Sequence, residues 1–398
     1  MNSDFDPNIE NRLMNFLHLN FGFEVFTPGL ERTKNLFLPL VSQIKSNGTK
    51  VITIAGTNGK GQTAHTLAHL FSSQGKSVAL WTSPHILSIR ERFHFDEDVS
   101  YEELENEMLE AQKIVSDVSF YEFLFYVFLK LCLKRKNLQY LILEVGLGGR
   151  LDAVNHFNTD CAAITSISRD HQTILGYTLR DILSEKIAVT RPKAPLFTSF
   201  SLEYLNELTQ LYCIQNKVIW KPLPPDKDYF QSNVKTAAEI FHYFLPRLEI
   251  NKNFYQTPFK GRHELMTFKG NTLIFIGAHN VEGMRKMLEH FSLEEQLQAS
   301  LDSFNVVMFS FSKRANKEIE VMLQMLTNFS KNKAELWPTV FNHPKAIDRD
   351  VIEKNSREFV NDWKERLESF SSTHQHKKIL VCGSYYFIGE VQRYILNS

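Results

Sequence analysis

The sharpest chemistry in the sequence lies at Ile54-Ala55-Gly56-Thr57-Asn58-Gly59-Lys60-Gly61-Gln62-Thr63, where a short β-branched run gives way to a helix-like one. Glycines in such a turn let backbone N–H groups face a phosphate. The helix N-terminus adds partial positive charge, and Lys60 supplies a point charge. Thr57, Asn58, Gly59, Lys60 and Gly61 are therefore candidate contacts to the phosphates of a nucleotide. The strict Walker pattern is absent, because Ile54 stands where its first glycine would be and Gly61 where a magnesium-binding hydroxyl would be. Any metal hydroxyl must come from elsewhere. The plain alternative is a glycine-rich turn that binds nothing.

Partners for the loop should lie at strand ends. The run Ser77–Trp81 leads into Thr82-Ser83-Pro84-His85, Tyr140–Val145 carries Glu144 just before Gly146-Leu147-Gly148-Gly149-Arg150, and Cys161–Ile167 leads into Ser168-Arg169-Asp170-His171. An acid near the end of an apolar strand is costly to bury unless it is paired or binds a metal. Ser83, Glu144 and His171 fall at corresponding ends of three strands beside the loop and form a candidate magnesium site. Singly they read as a turn serine, a salt-bridged glutamate and a solvated loop histidine. Histidine is also an unusual ligand for so hard a cation.

The elements that must position these residues alternate along the chain. Strand-like runs are separated by amphipathic stretches at Gln62–Gln74, Tyr101–Val115 and Leu179–Val189, the pattern of a parallel sheet with helical crossovers. A helix over Val234–Leu245 closes this part, and Asn251–Pro258 reads as a linker. A second alternation follows: strand Thr272–Ile276, helix Val281–Phe291, strand Phe304–Phe309, helix Lys317–Phe329 and strand Ala334–Trp337. A long polar helix over Asp348–Ser369 and a strand over Lys378–Cys382 end the series. The expectation is two α/β domains, residues 1–250 and 251–398, with ligands beyond the carboxyl ends of the strands and in the cleft between domains.

Composition narrows the class. The chain has 398 residues, with 43% apolar and 23% charged, as in an ordinary globular protein large enough for two cores. Its 45 basic and 45 acidic residues cancel, so no nucleic-acid footprint or polybasic membrane contact is expected. The N-terminal residues lack the pattern of a secretory signal. Phe120–Leu133 is the most lipid-like stretch, but it carries Glu122 and Lys130 and is too short for a span of about 20 residues. Four scattered cysteines without a CxxC pair suit reduced, buried thiols in a cytoplasmic protein. The 32 phenylalanines have no functional account at this level.

At these residues the chain resembles the folylpolyglutamate synthase/dihydrofolate synthase family, relatives of the Mur ligases. The likeness runs in order through Pro28-Gly29-Leu30-Glu31-Arg32, AGTNGKG at Ala55–Gly61, TSPH at Thr82–His85, Arg90-Glu91-Arg92, LEVGLGGRLDAVN at Leu143–Asn155, His171 and Ser184-Glu185-Lys186. It continues with Gly261-Arg262, GAHN at Gly277–Asn280, His343-Pro344-Lys345-Ala346 and CGSYYFIGEV at Cys382–Val391. The resemblance implies a Mur-ligase-like P-loop ATPase domain with a parallel-rich sheet and a smaller Rossmann-like C-terminal domain. It implies an ATP-dependent ligase that joins L-glutamate to dihydropteroate or a folate through an acyl phosphate.

The resemblance also assigns residues. Ser83, Glu144 and His171 match magnesium ligands, and Lys186 matches a lysine carbamylated to support a second magnesium, with a monovalent cation as a further candidate. A carbamate turns a cation into an anionic oxygen ligand suited to a hard metal. Leu151, Asp152 and Ala153, with Phe120, Tyr121, Glu122 and Phe123, match the part that holds the pteroate. Asn233, Arg262 and His279 match residues that approach ATP. A monomer is implied, since members of the family are commonly monomers. Lys60, His171 and Lys186 would carry the catalysis. Three departures stand out: Gln62 where Ser or Thr is usual, Ile276 in place of an aspartate that contacts the nucleotide, and Asn316-Lys317 where a Lys-Asp pair is expected. They leave two other readings open, a Mur-type ligase of a non-folate acid and a nucleotide-binding homologue impaired in catalysis.

Overall fold

The computed structural model describes residues 5–25, 27–250, 262–297, 304–330, 334–356 and 358–398. The side chains of residues 262, 263 and 293–297 are outside that description, as is the segment 251–261 that holds the expected linker and domain boundary. The chain separates into two compact units, Met1–Tyr255 and Gln256–Ser398.

The first unit runs α1 (Pro7–Phe21), α2 (Leu30–Ser46), β1 (Lys50–Ala55), α3 (Lys60–Ser73), β2 (Val78–Trp81), β3 (Phe93–His94), α4 (Tyr101–Gln112), α5 (Phe120–Lys134) and β4 (Tyr140–Glu144). It continues with β5 (Cys161–Ile164), α6 (Gln172–Leu175), α7 (Leu179–Ile187), β6 (Pro195–Thr198), α8 (Glu203–Asn216), β7 (Ile219–Pro222) and α9 (Tyr229–Phe244). Its seven strands lie in the order β3-β2-β4-β1-β5-β6-β7, all parallel except β3.

Strand alternation feeds two cores. Val51 and Ala55 of β1 face one layer, into which α2, α5 and α7 pack, while Ile52 and Ile54 face α3 and α9 on the other. Both faces are covered, which is why these strands read as continuous apolar runs. Helix α5 is buried along nearly its whole length and anchored by a capping box in which Ser119 and Glu122 satisfy each other's backbone N–H groups. Its rings pack with Trp81, Phe37, Phe93 and Phe157, so part of the phenylalanine excess is the core of this unit.

The second unit is β8 (Arg262–Phe268), β9 (Asn271–Ile276), α10 (Val281–Leu297), β10 (Val306–Ser310), α11 (Asn316–Ser330), β11 (Glu335–Pro338), α12 (Arg349–Asn355), α13 (Trp363–Thr373), β12 (Lys378–Gly383) and α14 (Tyr385–Leu396). Its strand order is β11-β10-β12-β9-β8, parallel except for β8. The single helix expected over Asp348–Ser369 is two. Val360 breaks the helix to hydrogen-bond the backbone at Pro338 and the hydroxyl of Thr339. Asp362 then opens α13 as an N-cap, accepting from the amides of Lys364 and Glu365. Among the described residues no helix is long and apolar enough to cross a membrane. The four cysteines are buried and unpaired.

Candidate active site

The loop Gly56–Gly59 joins β1 to α3. Gly59 has φ of +89°, and a Cβ there would lie 2.5 Å from Asn233 Oδ1, so glycine is required by both conformation and space. The N-cap of α3 is Gly59, which has no side chain to cap the first amides, and the helix N-terminus with its partial positive charge faces the loop. The loop is held from β5: Thr57 N–H donates to the Ser166 carbonyl at 2.8 Å, and the Thr165 hydroxyl donates to the Asn58 carbonyl at 2.7 Å. Lys60 Nζ folds back onto the carbonyls of Gly56 and Thr57 at 3.1 and 3.2 Å. Gln62 is buried. Its carbonyl accepts from Asn233 Nδ2 at 2.7 Å and its amide donates to the Phe230 carbonyl at 3.2 Å. It therefore ties α3 to α9 and fixes Asn233 beside the loop, a role unlike that of a phosphate-binding hydroxyl.

Sheet order decides what stands next to the loop. Strand β1 lies between β4 and β5, and β4 lies between β2 and β1. Glu144 ends β4 in register with Ile54, at the base of the loop, and is buried. Its Oε2 accepts the Ser83 amide at 3.1 Å, so the structure brings Ser83 and Glu144 together. The turn carrying Ser83 is held by Glu91, whose carboxylate accepts the amides of Ile86, Leu87 and Ser88, and by fully buried Arg92. Arg92 donates to His85 Nδ1 and, bidentately, to Glu24. His171 leaves the end of β5 in a left-handed conformation, φ +49°, with its ring exposed and Nε2 3.9 Å from Asp170 Oδ1.

Lys186 is buried at 3% exposure on α7. Burial pushes its ammonium down to about 7, and the charge of Lys60 pushes the same way against Asp170, Asp152 and Glu185. A lysine at that value is largely a neutral amine at mildly alkaline pH, able to take up carbon dioxide. The residue is set in place by its neighbour: the Arg150 amide donates to the Glu185 carbonyl at 2.8 Å, and Arg150 and Glu185 pair through their side chains.

Asp152 is buried at the start of a short 3-10 helix, Ala153–His156, which it caps by accepting the Val154 amide at 3.1 Å. It also accepts the Leu147 amide at 3.0 Å and the Tyr121 hydroxyl at 3.1 Å. Burial nonetheless pushes its carboxyl up to about 6. Leu151 is half-buried beside it and Ala153 is buried. Within the segment 120–123, Tyr121 hydrogen-bonds Asp152. Phe120 and Phe123 are core residues, Phe123 stacked on Phe21, while Glu122 completes the helix cap and pairs with Arg32 at 2.8 Å.

The remaining assignments lie in the second unit. His279 follows β9 with its ring 5.3 Å from that of Tyr385, and Asn280 accepts the Gly283 amide at 2.7 Å to cap α10. Ile276 is buried in the core of that unit, so an apolar residue there serves packing. Arg262 opens β8, its side chain outside the described residues. Sequence reasoning missed Trp81, Asp170 and Ser168. The Ser168 hydroxyl is buried without a partner while its backbone exchanges hydrogen bonds with Thr57. Its position three residues before His171 was the available signal.

The residues fit a divalent cation held on one side by oxygen donors. Glu144 and Ser83 adjoin at the loop, Ser168 offers an orphaned hydroxyl, and Lys186 is poised to become an anionic oxygen donor. Among the described residues no group of three or more His, Cys, Asp or Glu closes around a metal.

Comparison with protein-family profiles finds no match. Curated proteins do match. The dihydrofolate synthase/folylpolyglutamate synthase of Buchnera aphidicola from Acyrthosiphon pisum is 32% identical over 214 residues, a match spanning 50% of this chain and 49% of that protein. The protein of the same name from the Baizongia pistaciae symbiont is 26% identical over 392 residues, covering 87% of each. Among solved structures, a bifunctional folylpolyglutamate synthase/dihydrofolate synthase with Mn, AMPPNP and L-glutamate bound superposes with a TM-score of 0.76 at 23% identity, covering 98% of both chains. The chain is thus similar in sequence to curated dihydrofolate synthase/folylpolyglutamate synthases and shares the fold of solved ones.

Proposed function

We propose that the protein is an ATP-dependent, divalent-metal-dependent ligase that joins L-glutamate to dihydropteroate or a folate, giving ADP and phosphate. The observation that carries the reading is the placement of buried Glu144 on the strand adjacent to the phosphate loop, with Lys60 and the buried amine of Lys186 within electrostatic reach of one another. The names of the relatives, and the AMPPNP, Mn and L-glutamate of the solved structure, supply the substrates.

A divalent cation, when bound, neutralises charge on the transferring phosphoryl group. Ser83, Glu144 and His171 would hold one such ion and a Lys186 carbamate a second, with a monovalent cation as a candidate third. In the first step the terminal carboxylate of the acceptor attacks the γ-phosphorus of ATP, and ADP leaves. Lys60, released from the carbonyls of Gly56 and Thr57, and the amides opening α3 take up the charge on the phosphoryl oxygens. Asn233, fixed by Gln62, borders the same loop, and Arg262 and His279 are assigned to the nucleotide. In the second step the glutamate amine attacks the acyl carbon, the C–O bond to phosphate breaks, and the amide forms with loss of the amine proton to solvent. The acceptor is assigned to Leu151, Asp152, Ala153 and the Tyr121 side of α5. No enzyme nucleophile is required. The protein is taken as a monomer that binds small molecules and no nucleic acid. A cytoplasmic setting is supported by four free, buried thiols.

The test is ADP release with magnesium, ATP and glutamate, comparing dihydropteroate, tetrahydrofolate and no acceptor. Stimulation by a pterin acid that is lost in Lys60→Ala and His171→Ala is expected. No stimulation by either acid would refute the acceptor.

A further inference from the structure

Helix α1 turns one stripe inward, Glu10, Leu13 and Leu17, at the i, i+3, i+7 spacing of a single helix face. The two leucines join the core of the first unit, but Glu10 carries a carboxylate to the same depth, 4% exposed. An acid so placed needs donors. It finds them in the segment that follows Ser83. Its Oε1 accepts the Ile89 amide at 2.7 Å, and its Oε2 accepts the Ser88 hydroxyl at 2.9 Å and the Tyr101 hydroxyl of α4 at 3.2 Å.

That segment, residues 82–92, joins β2 to β3 and takes its hydrogen bonds from side chains rather than from the sheet. The Glu91 carboxylate accepts the amides of Ile86, Leu87 and Ser88, and the Ser88 hydroxyl oxygen accepts that of Arg90 at 3.3 Å. Glu10 takes the amide left between them, that of Ile89, and it reaches in from a different element. The ends of the segment are clasped together. The Thr82 hydroxyl donates to the Glu91 carbonyl at 2.8 Å, and the Thr82 amide donates to the Arg92 carbonyl at 3.4 Å. Ser83 follows at once, with its amide on Glu144. A shift at Ser88–Ile89 is thus passed through Glu91 to the residue before Ser83. Burial outweighs the three donors and raises the Glu10 carboxyl above 4.5, so what Glu10 supplies at neutral pH is geometry rather than stability.

Building on the ligase reading, in which Ser83 holds a divalent cation, we infer that Glu10 is a positioning residue for that ion: from α1 it anchors the segment that presents Ser83. It acts through the backbone at Ser88 and Ile89 and not by touching metal or substrate.

The experiment is calorimetric titration of AMPPNP into the full chain, once in excess Mn2+ and once in EDTA, so that the gain in affinity due to metal is read separately from nucleotide binding. Glu10→Ala should cut that gain about tenfold, the lower end of the cost of losing an outer partner of a metal ligand, with affinity in EDTA unchanged. Glu10→Gln should keep most of it, because the carboxamide oxygen still accepts the Ile89 amide and its nitrogen can donate to the Ser88 oxygen. In the Ser83→Ala background, Glu10→Ala should remove little more, because both changes act on one contact. A gain in Glu10→Ala equal to wild type, an equal loss in Glu10→Gln, or losses that multiply in the double variant would each overturn the positioning role while leaving the ligase reading intact. Should Glu10→Ala fail to fold, Tyr101→Phe, which removes one donor and keeps the ring, should show a smaller loss in the same direction, and no loss there would overturn it equally. A wild-type chain with no gain from Mn2+ would overturn both the metal reading and this role.

Discussion

Lys186→Met offers a test of the site's electrostatics that needs no substrate. The Lys186 ammonium has an ordinary value of 10.5 and is pushed down to about 7 in the folded chain, first by burial and then by Lys60. Between those values the unfolded chain carries one more proton than the folded one. Stability should then rise with pH, by about 1.4 kcal/mol per unit for one proton, across the window from pH 7 to 10.5. The contribution is fully present above 10.5 and fully lost below 7. The whole span amounts to roughly 5 kcal/mol, an upper figure because relaxation and water penetration soften burial costs. Methionine keeps the apolar stem and removes the proton. Urea unfolding of wild type and Lys186→Met should be compared at pH 7, 8 and 9 in buffer freed of carbon dioxide. The wild-type curve should climb relative to the variant, which should be the more stable protein at pH 7. Parallel curves would refute the argument, since they would mean that Lys186 titrates alike in both states.

Three further changes probe other parts of the frame. Glu10 accepts the Ile89 amide at 2.7 Å and the hydroxyls of Ser88 and Tyr101, yet burial holds its carboxyl above 4.5. Its contribution is full below that value and is lost as pH rises, so the Tm advantage of Glu10→Gln over wild type should be larger at pH 8 than at pH 4.5, and a constant difference would contradict this. Arg92→Ala strips fully buried Arg92 from Glu24 and His85 and should cost about 3–5 kcal/mol in denaturant unfolding; a loss under 1 kcal/mol would show that the pair is dispensable. Gly59→Ala forces a side chain into left-handed backbone 2.5 Å from Asn233 and should raise the KM for ATP at least about tenfold, from about 1–2 kcal/mol of backbone strain plus the clash. An unchanged ATP titration would show that this loop is not the nucleotide seat.

Much of this was legible in the letters because it is local. A strand, a glycine-bearing turn and a helix start are contiguous, so the turn between β1 and α3 could be read from spacing alone, as could the acid that ends β4 and the two runs of α/β alternation. Ordered motifs added the family resemblance. The break between α12 and α13 was hidden because it answers to a long-range demand, the backbone pairing of Val360 with Pro338 and Thr339. Phe120 and Phe123 of α5, assigned to the substrate by the resemblance, are buried in the core, and Tyr121 between them hydrogen-bonds Asp152, a split that the letters do not show.

What tertiary structure alone decided is which distant residues share an environment. Strand order β2-β4-β1-β5 is invisible in sequence, and it is what sets Ser83 against Glu144 and both beside the loop. Gln62 looked like a lost hydroxyl until packing showed it bridging α3 to Asn233, 171 positions away. Lys186 was singled out in the sequence only through the resemblance, with nothing in its own surroundings to show its state. Its charge depends on how many atoms displace water around it and on the nearness of Lys60, and both follow from the fold. Sequence determines where the chain turns and which groups it carries; burial and long-range proximity, which fix their protonation and partners, exist only once the sheet has formed.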